Sequence, residues 1–315
     1  MPWRMHEALM ANTKNGCEIW AIGGGKGGIG KSFVISSLGT YLAGKGNRVI
    51  LIDADLGGAN LHNFLGLAKP RASLSDFFDK KKPLAQLVVP SAVDNLGLLT
   101  GAIGSLDPDH IKYTQKLKFF NHIKSMKADY ILIDLGAGTH FNTIDTFLLA
   151  DKFIVVTVPE LTAIENFYFF LKNTFFRKLA RSCTEGGLRE LLRKAWLDRR
   201  RHQISNFVEF LSHLRTLSPK IGQIIDQQLA SFNLQIIVNQ LRHHKDITIG
   251  NSLRSVCKKY YGLNAQYVGY IEHDDIVSRC INQRHLFMQA YPSSRCAKEI
   301  ERVAENLLEG KQLNI

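Results

Sequence analysis

No stretch of this chain runs for the ~18 uninterrupted apolar residues that a bilayer-spanning helix requires, so no membrane span is expected. The opening residues, MPWRMHEALMANTKNG, hold no apolar block of the ~7–15 residues that marks a secretory leader. A cytoplasmic protein is the expectation, with a place on the membrane or nucleoid surface left open. Cysteine is scarce. Cys17, Cys183, Cys257, Cys280 and Cys296 are odd in number and form no C-x-x-C. A disulfide framework, a zinc site or an iron–sulfur site within one chain is therefore not expected, and a cluster shared across a dimer stays open. Internal repeats, low-complexity tracts and obvious linkers are also missing.

What is present fits a globular protein. Hydrophobic residues make up 45% of the 315 and charged residues 22%, enough apolar material for a large core. The formal net charge is +12, which favours an acidic partner: nucleic acid, an anionic membrane or a phosphate-rich ligand. Five short runs, EIWAIG (18–23), RVILID (48–53), DYILIDL (129–135), KFIVVTV (152–158) and LQIIVN (234–239), are nearly continuous in Ile, Val and Leu. Strands buried on both faces read this way. LGLLTG (96–101) and QYVGYI (266–271) are two further candidates. Helical periodicity separates them over Lys31–Lys45, Asp107–Lys127 (opened by an Asp-Pro N-cap) and Thr162–Leu179. The alternation predicts an α/β fold: a mostly parallel central sheet flanked by helices. Residues 1–315 read as one domain, with 180–230 a basic helical insertion. From Lys172 to Arg201 ten Lys or Arg stand against three acids, which supplies +7 of the +12.

Residues 25–32, GKGGIGKS, fit G-x-x-x-x-G-K-[ST] between a predicted strand and a predicted helix, the setting a phosphate-binding loop requires. Gly25, Gly27, Gly28 and Gly30 let the backbone wrap a phosphate, and the helix N-terminus adds partial positive charge. Lys31 can neutralise the β/γ oxygens, and the Ser32 hydroxyl can ligate Mg²⁺. Gly23-x-Gly25-x-x-Gly28 also satisfies the dinucleotide fingerprint, but that pattern has no need of Gly30-Lys31-Ser32. Asp134 closes an apolar strand, where a Walker B carboxylate would hold the Mg²⁺ shell, and Asp53 and Asp55 end another. Gly138 permits a turn, and 134–139 would form a switch.

A second lysine lies inside the loop. Lys26-Gly27-Gly28-Ile29-Gly30-Lys31-Ser32 resembles the deviant Walker A motif K-G-G-x-G-K-[ST] of the MinD/ParA family of ATPases. The resemblance continues in Asp53-Ala54-Asp55-Leu56-Gly57-Gly58-Ala59-Asn60-Leu61, in Phe64-Leu65-Gly66-Leu67, in Ile133 to Gly138 and in Val158 to Ile164. It covers 17–179 well and 232–275 loosely, and its motifs are nearest the FlhG/FleN-like branch. Residues 180–230 have no counterpart in it. It implies a P-loop ATPase fold with ATP and Mg²⁺ as ligands. Gly25 to Phe33 would contact the nucleotide, Ile29 and Phe33 included, and Asn239 would contact adenine. By the same resemblance Asp55 orients the attacking water, and Asp53 supports Mg²⁺ or Lys31 from behind. Lys26 then reaches across an ATP-dependent homodimer to the partner's phosphates. His62 departs from the aspartate usual after A-N-L in FlhG-like sequences, and the N-terminus lacks their D-Q-A motif. Neither change touches the hydrolytic residues.

The implied function is an ATPase switch that positions or regulates a flagellar, cell-division or partition assembly. The alternatives are a nucleotide-binding regulator with little turnover and an iron–sulfur carrier of the same superfamily. Residues 172–201 are the expected contact for DNA or another acidic partner. The tail, 297–310, carries an apolar stripe (Ile300, Val303, Ala304, Leu307, Leu308) and a net charge of −2, which suits packing on the sheet better than binding anionic lipid.

Overall fold

The computed structural model describes residues 16–55, 58–70, 72–79, 82–101, 113–184 and 187–313. The readings made at residues 1–15, at Leu56-Gly57, at the Asp107-Pro108 helix start and at His110 lie outside them. Among the described residues one sheet has eight strands. They are β1 (Glu18–Gly23), β2 (Val49–Asp53), β3 (Val89–Pro90), β4 (Leu96–Leu99), β5 (Tyr130–Asp134), β6 (Lys152–Thr157), β7 (Leu234–Leu241) and β8 (Ala265–Glu272). Their order is β3-β4-β2-β5-β1-β6-β7-β8. β3 pairs antiparallel with β4, and every other pairing is parallel. All seven expected strands are present; β3 is the addition.

Each central strand feeds two cores because its side chains alternate and neither face meets water. In β1, Ile19 and Ala21 join one core while Trp20 and Ile22 join the other. β6 divides the same way, Phe153 and Val155 against Ile154 and Val156. Helices cover both faces. α1 (Lys31–Gly44) and the last helix, α13 (Arg295–Glu309), lie on the Trp20 side. α13 starts at Ser294, whose hydroxyl accepts the Ala297 N–H, and stops at Gly310 in the left-handed conformation. Its stripe packs on β8 and α1 as expected through Ile300, Val303, Ala304 and Leu307, but Leu308 is 38% exposed and stands outside it.

The other helices, in chain order, are α2 (Leu61–Phe64), α3 (Leu74–Phe78), α4 (Tyr113–Lys124), α5 (Phe141–Phe147), α6 (Leu161–Ser182), α7 (Leu188–Asp198), α8 (Phe207–Leu217), α9 (Pro219–Ala230), α10 (Ile249–Tyr261), α11 (Asp275–Asn282) and α12 (Phe287–Ala290). α7, α8 and α9 fill the stretch expected to be a helical insertion. α8 opens with a capping box between Asn206 and Glu209, and α9 with Ser218 followed by proline. Aromatic rings fasten these helices to the sheet side. Trp196 lies 5.1 Å from Phe210 and 5.3 Å from Phe176, and Phe232 stacks on Phe153 at 4.6 Å.

The basic span does not form one solvated face. Arg177 makes two 2.8 Å hydrogen bonds to Asp145, joined by Arg181 at 3.4 Å. Lys178 is 8% exposed and donates to Ser231 Oγ. A helix turns ~100° per residue, so the half of α6 that carries these three cations faces the protein rather than a partner.

Candidate functional site

β1 ends at Gly23, and the chain turns through Gly24–Gly30 into α1. Gly25, Gly28 and Gly30 have φ of +69°, +78° and +85°, which L side chains adopt only with strain. A Cβ at Gly25 would also come within 2.7 Å of the Asn166 carbonyl. Ile29 is the loop's anchor: its side chain is buried in the Trp20-side core. The α1 N-terminus has no side-chain cap, so its first N–H groups stay available to an anion.

Beside the loop lies a cleft of about 410 Å³. Gly27, Gly28, Gly30, Lys31, Ser32 and Phe33 line one end of it, together with Asp55 and Asp134. Asn239 and Gln240 continue the wall. The far wall, Glu272–Asp274 with Val277, Ser278 and Ile281, and the nearby Asn60 and Phe64, are pocket residues that sequence reasoning missed. The available signal was topological. β8 was expected, and in an open parallel sheet the residues following a strand stand on the ligand-binding edge.

The polar geometry is concentrated at two adjacent strand ends, where Asp53 and Asp134 are register partners. Ser32 Oγ donates to Asp134 Oδ2 at 2.6 Å, while Asp134 Oδ1 is buried with no hydrogen-bond partner. Burial, reinforced by the Asp53 charge, lifts the Asp134 carboxyl to about 7. Asp53 rises to about 6, again mainly through burial. Its two oxygens accept the Asp55 and Leu61 N–H groups at 3.2 and 2.9 Å, so it also holds the 55–61 loop. Asp55 lines the cleft and accepts the Gly58 N–H at 3.0 Å. Its carboxyl lies against Gly136, where a Cβ would come within 3.0 Å of it. Lys31, 8% exposed, donates to the Lys26 carbonyl at 3.1 Å, and burial lowers its pKa against the pull of Asp134 and Asp55.

Three carboxylates thus share a corner with one lysine. An orphaned buried carboxylate oxygen beside a serine hydroxyl is what a hard, oxygen-seeking divalent cation satisfies, and the uncapped glycine loop next to it suits phosphate oxygens. The donor set fits a magnesium-bound nucleoside triphosphate.

Four expected residues are placed differently: Gly25 and Ile29 are missing from the cleft lining, Ile29 because its side chain turns into the core, and Lys26 and Asn239 are engaged elsewhere. Lys26 is outside the cleft, where its ammonium binds Glu160 Oε2 at 2.7 Å and Thr162 Oγ1 at 2.9 Å, at the start of α6. Asn239 lines the cleft but is 2% exposed, and its amide nitrogen donates to the Ile29 carbonyl at 2.9 Å. It braces the glycine loop. Gly138 donates its N–H to the Gly25 carbonyl at 3.0 Å, joining the 134–139 turn to that loop.

A family profile described as "ParA: NUBPL iron-transfer P-loop NTPase" matches residues 17–179, more than half of the chain. The chain belongs to the MinD/ParA family of P-loop NTPases. Among family members, the antiactivator FleN of Pseudomonas aeruginosa is 24% identical over 292 residues, covering 92% of this chain and 86% of that one. The septum site-determining protein MinD of Synechocystis is 34% identical over 151 residues, which span 47% of this chain and 56% of MinD. Alignments to the MinD relatives therefore cover about half of either partner. Among solved structures, MinD of Pyrococcus horikoshii complexed with Mg-ADP has a TM-score of 0.61 at 21% identity, over 95% of this chain and all of that one. A chain of the MinC:MinD cell division protein complex of Aquifex aeolicus scores 0.63 at 22% identity, over 95% of this chain and 98% of that one. The family profile ends at 179, just before α7–α9.

Proposed function

We propose that the protein is an ATPase switch of the MinD/ParA type that binds Mg·ATP, dimerises, and hydrolyses ATP to regulate or position a cellular assembly. FleN, matched over most of both chains and named an antiactivator, favours regulation of a protein partner. The observation that carries the reading is the Ser32–Asp134 pair with its unpartnered buried oxygen at the foot of the glycine loop.

Bound magnesium would neutralise charge at the β/γ bridge, held by Ser32 directly and by Asp134 with Asp53 behind it. Lys31, already desolvated, would place its ammonium against the phosphates, where the low dielectric strengthens it. Residues 25–33 offer N–H donors to the phosphates. Asp55 would orient the attacking water, and Gly136 leaves room for that carboxylate beside the switch. Asn239, Gln240 and the 272–281 wall would enclose the base. Lys26, held by Glu160 in the isolated chain, would serve a partner protomer once it leaves that carboxylate.

Phosphate release by the pure protein, with and without DNA or lipid vesicles, tests the reading. The expected result is slow turnover that Asp55→Ala and Asp134→Asn each reduce at least tenfold. Tight Mg·ATP binding with no release under any condition would leave a nucleotide-holding regulator instead. The profile's iron-transfer description favours one further reading, an iron–sulfur carrier. The cysteines weigh against it: Cys183, Cys257, Cys280 and Cys296 are buried, and burial pushes the Cys257 and Cys296 thiols up to about 12.

A further inference from the structure

A second cleft, of about 440 Å³, opens where α7 and the following loop meet α6 and α10. Five rings line it: Tyr168, Trp196, Phe207, Tyr260 and Tyr261. Tyr168 and Tyr261 lie parallel within 10°, and Tyr260 is 40% exposed at the edge. Among the described residues, the charged ones in the lining are Lys172 and Arg199. Arg199 stacks its guanidinium on the Trp196 ring at 4.2 Å, and Lys259 stands over Tyr260 at 5.2 Å. Among the described residues no carboxylate lines the cleft, and Ser205 adds a hydroxyl to the lining.

Tyr260 is exposed, Tyr168, Trp196 and Tyr261 are half-buried and Phe207 is buried, so an aromatic wall only partly open to solvent stands beside two cations, which suits a ligand that is both flat and anionic. A bare phosphate or carboxylate would leave the rings unused, and an aliphatic ligand would leave the cations unused. Nucleotides carry both features: the base stacks on aromatic faces and the phosphate meets Lys or Arg. The volume falls within the range of small-ligand sites and suits one or two nucleotides better than a helix laid in a groove.

We propose that this cleft binds a nucleotide unit with an unpaired base, from single-stranded nucleic acid or a free nucleotide. It is separate from the phosphate-loop cleft and shares no lining residue with it. Trp196, Arg199 and Phe207 lie beyond residue 179, where the family profile ends.

The test uses the full chain with saturating magnesium pyrophosphate, which occupies the phosphate loop but offers the rings no base to stack, so that the phosphate loop is not the reporter. Fluorescence polarisation of labelled dT15 and quenching of tryptophan emission by thymidine monophosphate are the two readouts. Binding of both probes identifies a nucleotide pocket, and binding of dT15 alone identifies a single-strand site; either supports the proposal. Tyr260→Ala is expected to weaken binding about tenfold. Lys172→Ala should lower the salt dependence by about one phosphate contact. Trp196→Phe, which keeps a ring in place, should retain dT15 binding and lose the quenching. If neither probe binds at low salt, the proposal falls. It falls equally if a duplex or polyglutamate binds as tightly as dT15, or if Tyr260→Ala changes nothing while Lys172→Ala does. Either of those results leaves a basic surface or a site for an acidic peptide.

Discussion

The buried acids at the ends of β2 and β5 contribute more stability to the nucleotide-free protein in mild acid than at neutral pH. Asp134 titrates near 7 and Asp53 near 6 in the fold, against about 3.8 for each in an unfolded chain. Both values are raised, so the folded state holds protons that the unfolded state has released. Their contribution is complete below pH ~4 and is lost as the pH climbs through 6 to 7. With two groups holding extra protons, stability falls most steeply above pH ~4, then about half as steeply between the two folded values. The total is on the order of several kcal/mol. The assay is urea denaturation in EDTA from pH 5 to pH 8. Asp134→Asn keeps an acceptor for the Ser32 hydroxyl and removes the titration. It should flatten the profile and be the more stable protein at pH 8, by a few kcal/mol. Mg·ADP, which takes the ionised carboxylate, should stabilise wild type far more at pH 8 than at pH 5. A wild-type stability that rises with pH in EDTA, or an Asp134→Asn profile parallel to wild type, would refute the reasoning.

Three other perturbations follow from the geometry. The Lys26–Glu160 pair is partly exposed, and such pairs contribute ~0–1 kcal/mol, so Glu160→Gln should raise the ATP-dependent dimer fraction by no more than about fivefold in analytical ultracentrifugation, while Lys26→Ala abolishes that dimer. Asp53→Ala strands the Asp55 and Leu61 N–H groups, and hydrogen exchange at 55–61 should accelerate ahead of the strands behind it. Phe210, fully buried against Trp196 and Phe176, should cost ~3–5 kcal/mol on truncation to Ala, read by denaturant midpoint.

What could be read from the chain beforehand was local. Apolar runs buried on both faces announce themselves whatever lies beside them, which is why β1, β2 and β4–β8 were expected. β3 was not: Val89–Pro90 is two residues long, and proline is a poor strand signal except at an edge, which is where β3 lies. The glycine loop and Asp134 were legible because their spacing and strand-end position are sequence properties. The 272–281 wall was not, because it enters the site only when β8 closes the sheet edge. Charge counting misread α6, since a tally along the chain cannot know that Lys178 turns inward to Ser231 or that Asp145 occupies Arg177 and Arg181. Asn239 was assigned to the ligand, and its amide turned out to be committed to the carbonyl of Ile29.

α6 is 22 residues long, ~33 Å of unbroken helix. Glu160 and Thr162 clasp the loop lysine at its first turn, and its far half is bolted by Phe175 and Phe176 to the extra helices. A rod fastened at both ends cannot shift at one without tilting the other or breaking its own backbone bonds. One helix thus carries the contact to the loop lysine at its first turn and, further along, Tyr168 and Lys172 of the aromatic cleft.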